Sequence, residues 1–471
     1  MNKIRLAISF IHGKRETLNK IVPWFLMTYF IFICFPYIFA RIPQLNAVFT
    51  NSIVAYIIRF GFIALYVFFG LILMVANRFK PKYAWIIMFS ILSLLSLISN
   101  FTSPDNIVSY SVYFTSKVSI TTQTIGTLSK LIDSFRFIAS LLFLYFLITV
   151  YPYCFKNRNQ FSYVVLPAII IGLIGVFYTF IFENKLLIDA IQGRGSPEGI
   201  ISIFHSKNAY GIFLFNGAVA STFIFFSDTR KWTKFIILVL PLFFIIAFLI
   251  NCKLAAVCIL ILFISCYVFA IFRYMKTRRV ISFVLLGLAL LTSILIILIF
   301  SVPSLHNSGI FGAIYNKIID EFQHFDLSSF IGRTYEWTMV PIMANGIFTV
   351  IGFSRAIGYS VVSGFTSING GQGVSDLHNA YVDFYAYHGI VGCLILAFIY
   401  GFVTYKVFKL FKVNKYISVL LFIVLFVSIL FGMAETYTLF ISMSANTFVL
   451  NVIIIGVVLF ESKFQSEEKW L

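Results

Sequence analysis

The stretch Ile21–Ala40, IVPWFLMTYFIFICFPYIFA, holds twenty residues and no charge, and it follows the basic segment that carries Lys14, Arg15 and Lys20. A helix needs about 20 apolar residues to cross the roughly 30 Å hydrocarbon core of a bilayer. The run is too long for the apolar core of a secretory leader, and no small-x-small cleavage site follows it. It therefore reads as a membrane span whose basic flank stays on the cytoplasmic side.

The same pattern recurs along the chain. Apolar runs of span length lie at about 21–40, 53–76, 83–99, 132–155, 162–182, 208–227, 235–251, 253–272, 280–301, 384–405, 416–433 and 436–460. With the N-terminus inside, the loops assigned to the cytoplasm carry most of the 35 Lys and Arg residues, and every one of them is basic. The alternation predicts an all-α polytopic membrane protein of about twelve spans with both termini inside. Residues 1–301 form a bundle of about nine spans, 302–377 a large extracytoplasmic loop and 378–471 the last spans, all in one membrane domain.

Composition agrees. Hydrophobic residues make up 60% of the chain and charged residues 11%, and the mean hydropathy is +0.97. A soluble chain carries about a quarter charged residues. The net charge of +18 does not indicate nucleic acid, because the cations sit in short clusters between spans. Cys34, Cys154, Cys252, Cys258, Cys266 and Cys393 have no CxxC spacing, so they read as small packing residues, neither zinc ligands nor disulfides.

Three extracytoplasmic segments are long: a Ser/Thr-rich loop at 100–131, a second at 183–207 and the largest at 302–377. In the last, Phe311, Ile314, Tyr315, Ile318, Ile319, Phe322 and Phe325 recur at helical spacing opposite Asn316, Lys317, Asp320, Glu321 and Gln323. That pattern predicts an amphipathic helix in the membrane interface. A second helix is expected from Arg333 to about Phe348, followed by a Gly/Ser-rich loop that ends at His378-Asn379.

The chain has no P-loop, GxSxG, HExxH or DxD motif, so nothing in it points to a bound nucleotide or a catalytic metal. Four features facing the outside could carry chemistry. In Gly332-Arg333-x-x-x-Trp337 a guanidinium offers a planar fork for phosphate oxygens; the alternative is an Arg and a belt Trp that anchor the helix to headgroups. In His378-Asn379-x-Tyr381 an imidazole can take a proton near neutral pH, and Asn379 and Tyr381 can orient a sugar; Asp376 and Asp383 are rival bases, and the alternative for His378 is a cap or packing role. Arg194 between glycines, with His205 and Asn208 just before a span, can approach an anion, or can belong to a surface loop. Lys253 and Glu435 are charges beside apolar helices, where a charge has a partner or snorkels to the interface. Arg59, Asp133 and Arg136 lie within or near spans and read as structural ion pairs.

These pieces together resemble the O-antigen ligase / O-antigen polymerase superfamily. The resemblance covers about 190–440 and rests on Gly332-Arg333-x-x-x-Trp337, GFSRAIGYS (352–360), HNAYVDFYAYHGIVG (378–392), FHSKNAYGIFL (204–214) and NCKLAAVCIL (251–260), with Lys253 where the family has Arg. It implies a glycan carried on undecaprenyl pyrophosphate at the outer face of the bacterial cytoplasmic membrane. The implied reaction is inverting transfer to an acceptor hydroxyl with no cofactor or metal. The implied roles are His378 and Arg333 in catalysis, and Arg194, Lys253, Asn208, His205, Trp337, Asn379, Tyr381 and Glu435 in binding pyrophosphate or glycan. Partners would be the lipid-linked oligosaccharide, the bilayer, and the flippase and chain-length regulator of the same pathway. A polymerase is favoured over a ligase, on the AT-rich coding bias suggested by Lys, Ile, Phe and Asn usage. A flippase is the transporter alternative, and spans nearly free of charge argue against it.

Overall fold

The computed structural model describes residues 2–38, 52–102, 106–112, 118–124, 126–191, 199–204, 206–227, 232–274, 301–306, 315, 319, 337, 340, 346–353, 379–433, 435, 439–441 and 444–461. In chain order its main helices are α1 (Asn2–Gly13), α2 (Arg15–Ile38), α3 (Ser52–Ala76) and α4 (Tyr83–Thr102). A hairpin of β1 (Asn106–Val112) and β2 (Val118–Thr124) follows. Then come α5 (Thr127–Thr149), α6 (Tyr151–Cys154), α7 (Asn159–Phe182), α8 (Asn184–Ile191), α9 (Lys207–Ser227), α10 (Val239–Leu249) and α11 (Lys253–Tyr274). The chain closes with α12 (Ile347–Ile351), α13 (Ala380–Leu410), α14 (Lys415–Gly432) and α15 (Phe448–Asn451).

Among the described residues eight helices are long and apolar enough to cross a membrane, and shorter apolar stretches run over Gly61–Ala76, Lys234–Leu249 and Phe448–Glu461. Each matches one of the expected spans. The expected span at 280–301 and nearly all of the amphipathic helix at 311–325 lie outside the described residues.

Four elements differ from expectation. The Ser/Thr-rich loop holds the antiparallel hairpin, in register from Asn106 opposite Thr124 to Val112 opposite Val118. Its two runs are rich in Val, Ile, Thr and Tyr, which suit a pleated strand. The apolar stretch 235–251 splits into a 3₁₀ helix (Trp232–Leu238) and α10. Pro241 explains the restart, because it donates no backbone hydrogen bond and is tolerated only in the first turn of the new helix. Helices α5 and α13 begin four to five residues before the apolar runs expected at 132 and 384, so they include polar residues. Finally, 436–460 is not one helix: the described residues from Met433 to Thr447 form turns and bends, and helix resumes only at Phe448. Leu439, Phe440, Ile441 and Ala445 are nonetheless buried. Irregular backbone at membrane depth is tolerated when protein covers it. Here the Asn451 amide oxygen accepts from the Phe440 N–H at 3.1 Å, and Phe440 takes the left-handed conformation, φ 63°.

The chain packs as two units, one of residues 1–33, 48–164 and 328–471 and one of 34–47 and 165–327. The first and last described helices belong to the larger unit. Its core is aromatic. Tyr29 stacks on Phe143 at 4.5 Å and meets Tyr66 edge-on at 4.4 Å, and Phe30 stacks on Phe448 at 5.2 Å. Buried hydroxyls find partners: Tyr151 donates to the Tyr66 carbonyl at 2.7 Å, and Tyr66 shares a hydrogen bond with Thr28 at 3.0 Å.

Basic residues from three of the segments expected on one side are tied to neighbouring elements of this unit. Arg15 and Asn19 reach Asn77 at 2.9 and 3.0 Å, Lys82 donates to the Tyr153 hydroxyl at 3.1 Å, and Arg158 pairs with Glu461 at 2.5 Å. The opposite end of α4 and α5 carries Asn100 and Lys130, and the start of α13 packs there through Phe137 and His388.

In the smaller unit α9 is the central helix, with every residue from Ala209 to Ser227 buried. Gly172 of α7 and Gly217 of α9 leave room for the Phe243 ring; a Cβ at Gly172 would stand 2.7 Å from it. Helices α10 and α11 join through Ile250–Cys252, where Asn251 adopts φ 58°, a conformation that Asn accepts more readily than most residues.

Candidate functional site

In the larger unit the site is built around the start of α13. Asn379 caps this helix: its side-chain oxygen accepts from the N–H groups of Tyr381 at 3.0 Å and Val382 at 3.1 Å. The Ala380 N–H donates to the Glu435 carbonyl at 3.1 Å, which ties the helix start to the turn after α14. Tyr381 donates its hydroxyl to the Ile429 carbonyl at 3.2 Å. The Asn379 side-chain oxygen and the Tyr381 hydroxyl thus each have backbone partners at the start of α13. The structure also brings Trp337 to this helix. Val340 and Ala386 form a buried contact against which Trp337, Val382, Tyr385 and Tyr387 pack.

One turn further, α13 breaks. Gly389 has φ 61° and ψ −165°, a region open in practice only to glycine. Gly352, at the end of α12 with φ 78°, lies against the break. A Cβ on Gly352 would overlap the His388 nitrogen, and one on Gly389 would overlap the Val350 carbonyl. The Phe353 N–H donates to the Ala386 carbonyl at 2.5 Å, one of the carbonyls that the break releases. Residues 350–353 of the large loop are therefore locked onto α13 backbone to backbone.

Buried polar residues occur in the helices that meet near the break, on α4, α5 and α13. Asp383, His388, Lys130, Ser134 and Asn100 are all buried. His388 lies between Phe137, stacked at 4.7 Å, and Phe384 at 4.5 Å. Asn100 donates to the Lys130 carbonyl at 3.1 Å and to the Ser134 hydroxyl. Buried ionisable groups in spans are costly and mark function by default. The expectation of nearly charge-free spans is corrected here, because α5 and α13 start early enough to carry Lys130 and Asp383 into the bundle. Sequence reading named Asp383 only as a rival base and passed over His388 and Lys130. The signal was present in the polar residues within YVDFYAYHG and in Lys130, two residues before the span was placed to begin.

In the smaller unit two helix starts lie side by side. The Cys252 thiol contacts the Lys207 carbonyl at 3.0 Å, and a Cβ on Gly211 would meet Cys252 Sγ at 2.9 Å and Ala255 at 3.3 Å. Helix α9 begins at Lys207-Asn208, capped by the Ser206 hydroxyl, which accepts from the Ala209 N–H at 3.2 Å. Helix α11 begins at Lys253, which is exposed. Two helix N-termini with a lysine at each make a setting that favours an anion. Asn208 and Lys253 are thus brought to one place. A feature missed in the sequence positions them. The buried Glu183 carboxylate accepts twice from the Ser202 N–H, at 3.2 and 3.0 Å. Ser202, at φ 57°, donates its hydroxyl to the Gly175 carbonyl at 2.7 Å. This clamp holds the approach to α9.

Arg333, His378, Arg194 and His205 lie outside the described residues. Among the described residues no group of three or more His, Cys, Asp or Glu side chains could hold a metal ion. No family model matches the chain, and no curated protein matches it.

Proposed function

We propose that this membrane protein transfers a glycan from undecaprenyl pyrophosphate to an acceptor hydroxyl at the outer face of a bacterial cytoplasmic membrane. The preferred acceptor is a second lipid-linked repeat unit, which makes the protein a polysaccharide polymerase. The observation that carries the reading is the packing of Trp337 against the helix that Asn379 caps. It sets Trp337, one residue of the Arg-x-x-x-Trp element, against the helix that begins just after the His-Asn element, and so supports the reading.

In this reading the acceptor oxygen attacks the anomeric carbon while the bond from that carbon to the pyrophosphate oxygen breaks. His378 takes the acceptor proton. Arg333, Arg194 and Lys253 neutralise the departing pyrophosphate. Lys253 supplies a point charge and not a fork, so it binds one oxygen at a time. Asn379, Tyr381 and Glu435 bind the pyrophosphate or glycan in this reading, and Asn379 and Tyr381 also fix the start of α13.

The transporter reading keeps one specific support, the broken helix α13 with buried Asp383, His388 and Lys130 beside it. Discontinuous helices with ionisable residues are the usual makings of a transport site. Glycan analysis of a deletion strain separates the readings. A single lipid-linked repeat unit on the outer leaflet means polymerase. Full-length lipid-linked polymer that never reaches an acceptor means ligase. Repeat units held on the inner leaflet mean transport, and sink the catalytic assignment.

A further inference from the structure

Helices α3 and α5 pack closely at one level, where Phe146 fills the space over Gly70. Beyond it they part around a cavity of about 510 Å³. Its lining is wholly apolar: Ala64, Phe68 and Leu71 on α3 face Phe135, Ala139 and Leu142 on α5. The two alanines are too short to close the gap. The cavity opens sideways, with Phe68 61% and Phe135 63% exposed. In a membrane-spanning bundle such a groove faces hydrocarbon.

Two features restrict what fills it. The first is length. On α5 the lining runs from Ile132 to Leu142, which at 1.5 Å per residue is about 15 Å. That is half of the roughly 30 Å hydrocarbon core, or the depth of one leaflet. A straight acyl chain ends at the midplane and fits; a polyprenyl carrier tail is longer than one leaflet and does not. The second is charge. Arg136 is exposed on α5, beside Phe135 and one turn from Ile132 and Ala139. It stands about 6 Å below Ile132, within reach of the interface for a side chain that snorkels. A guanidinium at that level meets lipid phosphate with a planar pair of donors.

We propose that the α3–α5 groove is a specific site for an anionic glycerophospholipid, with one acyl chain between Ala64 and Ala139 and its phosphate on Arg136. The site is separate from the residues assigned to glycan transfer and does not depend on that assignment.

The test uses the full chain in nanodiscs that contain photoreactive phosphatidylglycerol or photoreactive phosphatidylcholine, followed by peptide mapping. Phosphatidylglycerol is expected to label 132–142 preferentially. Arg136→Gln should lower that labelling about fivefold, since one interfacial cation contributes about 1 kcal/mol, and should erase the preference over phosphatidylcholine. Ala139→Phe should abolish labelling while Arg136 remains; Ala64→Phe fills the same groove from α3 and serves if the first variant does not elute as a monodisperse species. Equal labelling by both lipids, with neither variant changing it, overturns the proposal, because Arg136 then serves Asp133, one turn before it, and the groove holds bulk lipid. Displacement of phosphatidylglycerol by undecaprenyl phosphate but not by excess phosphatidylglycerol overturns it in favour of the carrier lipid.

Discussion

Replacing Gly389 with alanine puts a Cβ where the Val350 carbonyl already stands. The backbone there, φ 61° and ψ −165°, costs a non-glycine residue about 1–3 kcal/mol before any overlap is counted. The overlap is with backbone and cannot be relieved by turning a side chain. It is relieved by moving α12 away, which breaks the hydrogen bond from Phe353 to Ala386 and forfeits about 1 kcal/mol more. The expected destabilisation is about 3 kcal/mol, placed at the loop and not spread through the bundle. The assay is hydrogen exchange of 347–353 in detergent, with thermal unfolding followed by size-exclusion chromatography. Exchange at Phe353 should rise about a hundredfold, since 1.4 kcal/mol is a factor of ten. Gly352→Ala, at φ 78°, should have a similar effect, and the double variant should fall short of the sum of the two, because the shared contact is lost only once. Gly401 in the same helix has open space around its Cα, so Gly401→Ala should be neutral or stabilise by up to about 1 kcal/mol. If Gly389→Ala behaves as Gly401→Ala does, the crossing of α12 and α13 does not hold the loop and the reasoning fails.

Other outcomes follow from single contacts. Asn379→Ala should cost about 1 kcal/mol and Asn379→Asp almost nothing, if the residue caps α13; a loss of glycan product from Asn379→Asp with unchanged melting would mean that the side-chain amide touches substrate. Asn451→Leu removes the acceptor for Phe440 and should make a cysteine at Ser444 reactive to a water-soluble maleimide; continued protection would show that the turn holds without that bond. Glu461→Gln should destabilise by about 1 kcal/mol, a modest value because Arg158 is a quarter exposed, and the loss should vanish in an Arg158→Met, Glu461→Leu double variant. His378→Ala and Arg333→Ala should each abolish glycan transfer with normal membrane insertion, and normal product from both would remove them from the site.

The spans were legible because a bilayer imposes length and charge placement on any helix that crosses it. Their ends were less so. Hydropathy marks where apolar residues begin, whereas α13 starts where the Asn379 cap satisfies its first N–H groups and α5 starts directly after the extended backbone at Gly126. The last apolar run misled for a different reason. Hydropathy reports burial in something apolar and does not separate a helix in lipid from a turn wrapped in protein. The small polar residues Ser442, Ser444, Asn446 and Thr447 were the available sign, and Ser444 and Thr447 do bond to each other. Within the site, the placement of Ala380 and Tyr381 turned on partners, the Glu435 and Ile429 carbonyls, that lie some 50 residues away in sequence. The meeting of Gly352 with Gly389 and the Glu183–Ser202 clamp had the same origin. A single sequence announces the glycine but not the backbone that crosses it.

The turn between α14 and α15 bears on how the chain is made. Its described residues are not helical, yet Leu439, Phe440, Ile441 and Ala445 are buried. Peptide groups that lack helical partners cannot be released into lipid alone. Protein has to supply those partners, as Asn451 does for the Phe440 N–H, and the helix that carries Asn451 is itself seated against Tyr29 and Phe30 through Phe448. This turn therefore enters the membrane only together with the helices that cover it, so its insertion is expected to follow theirs.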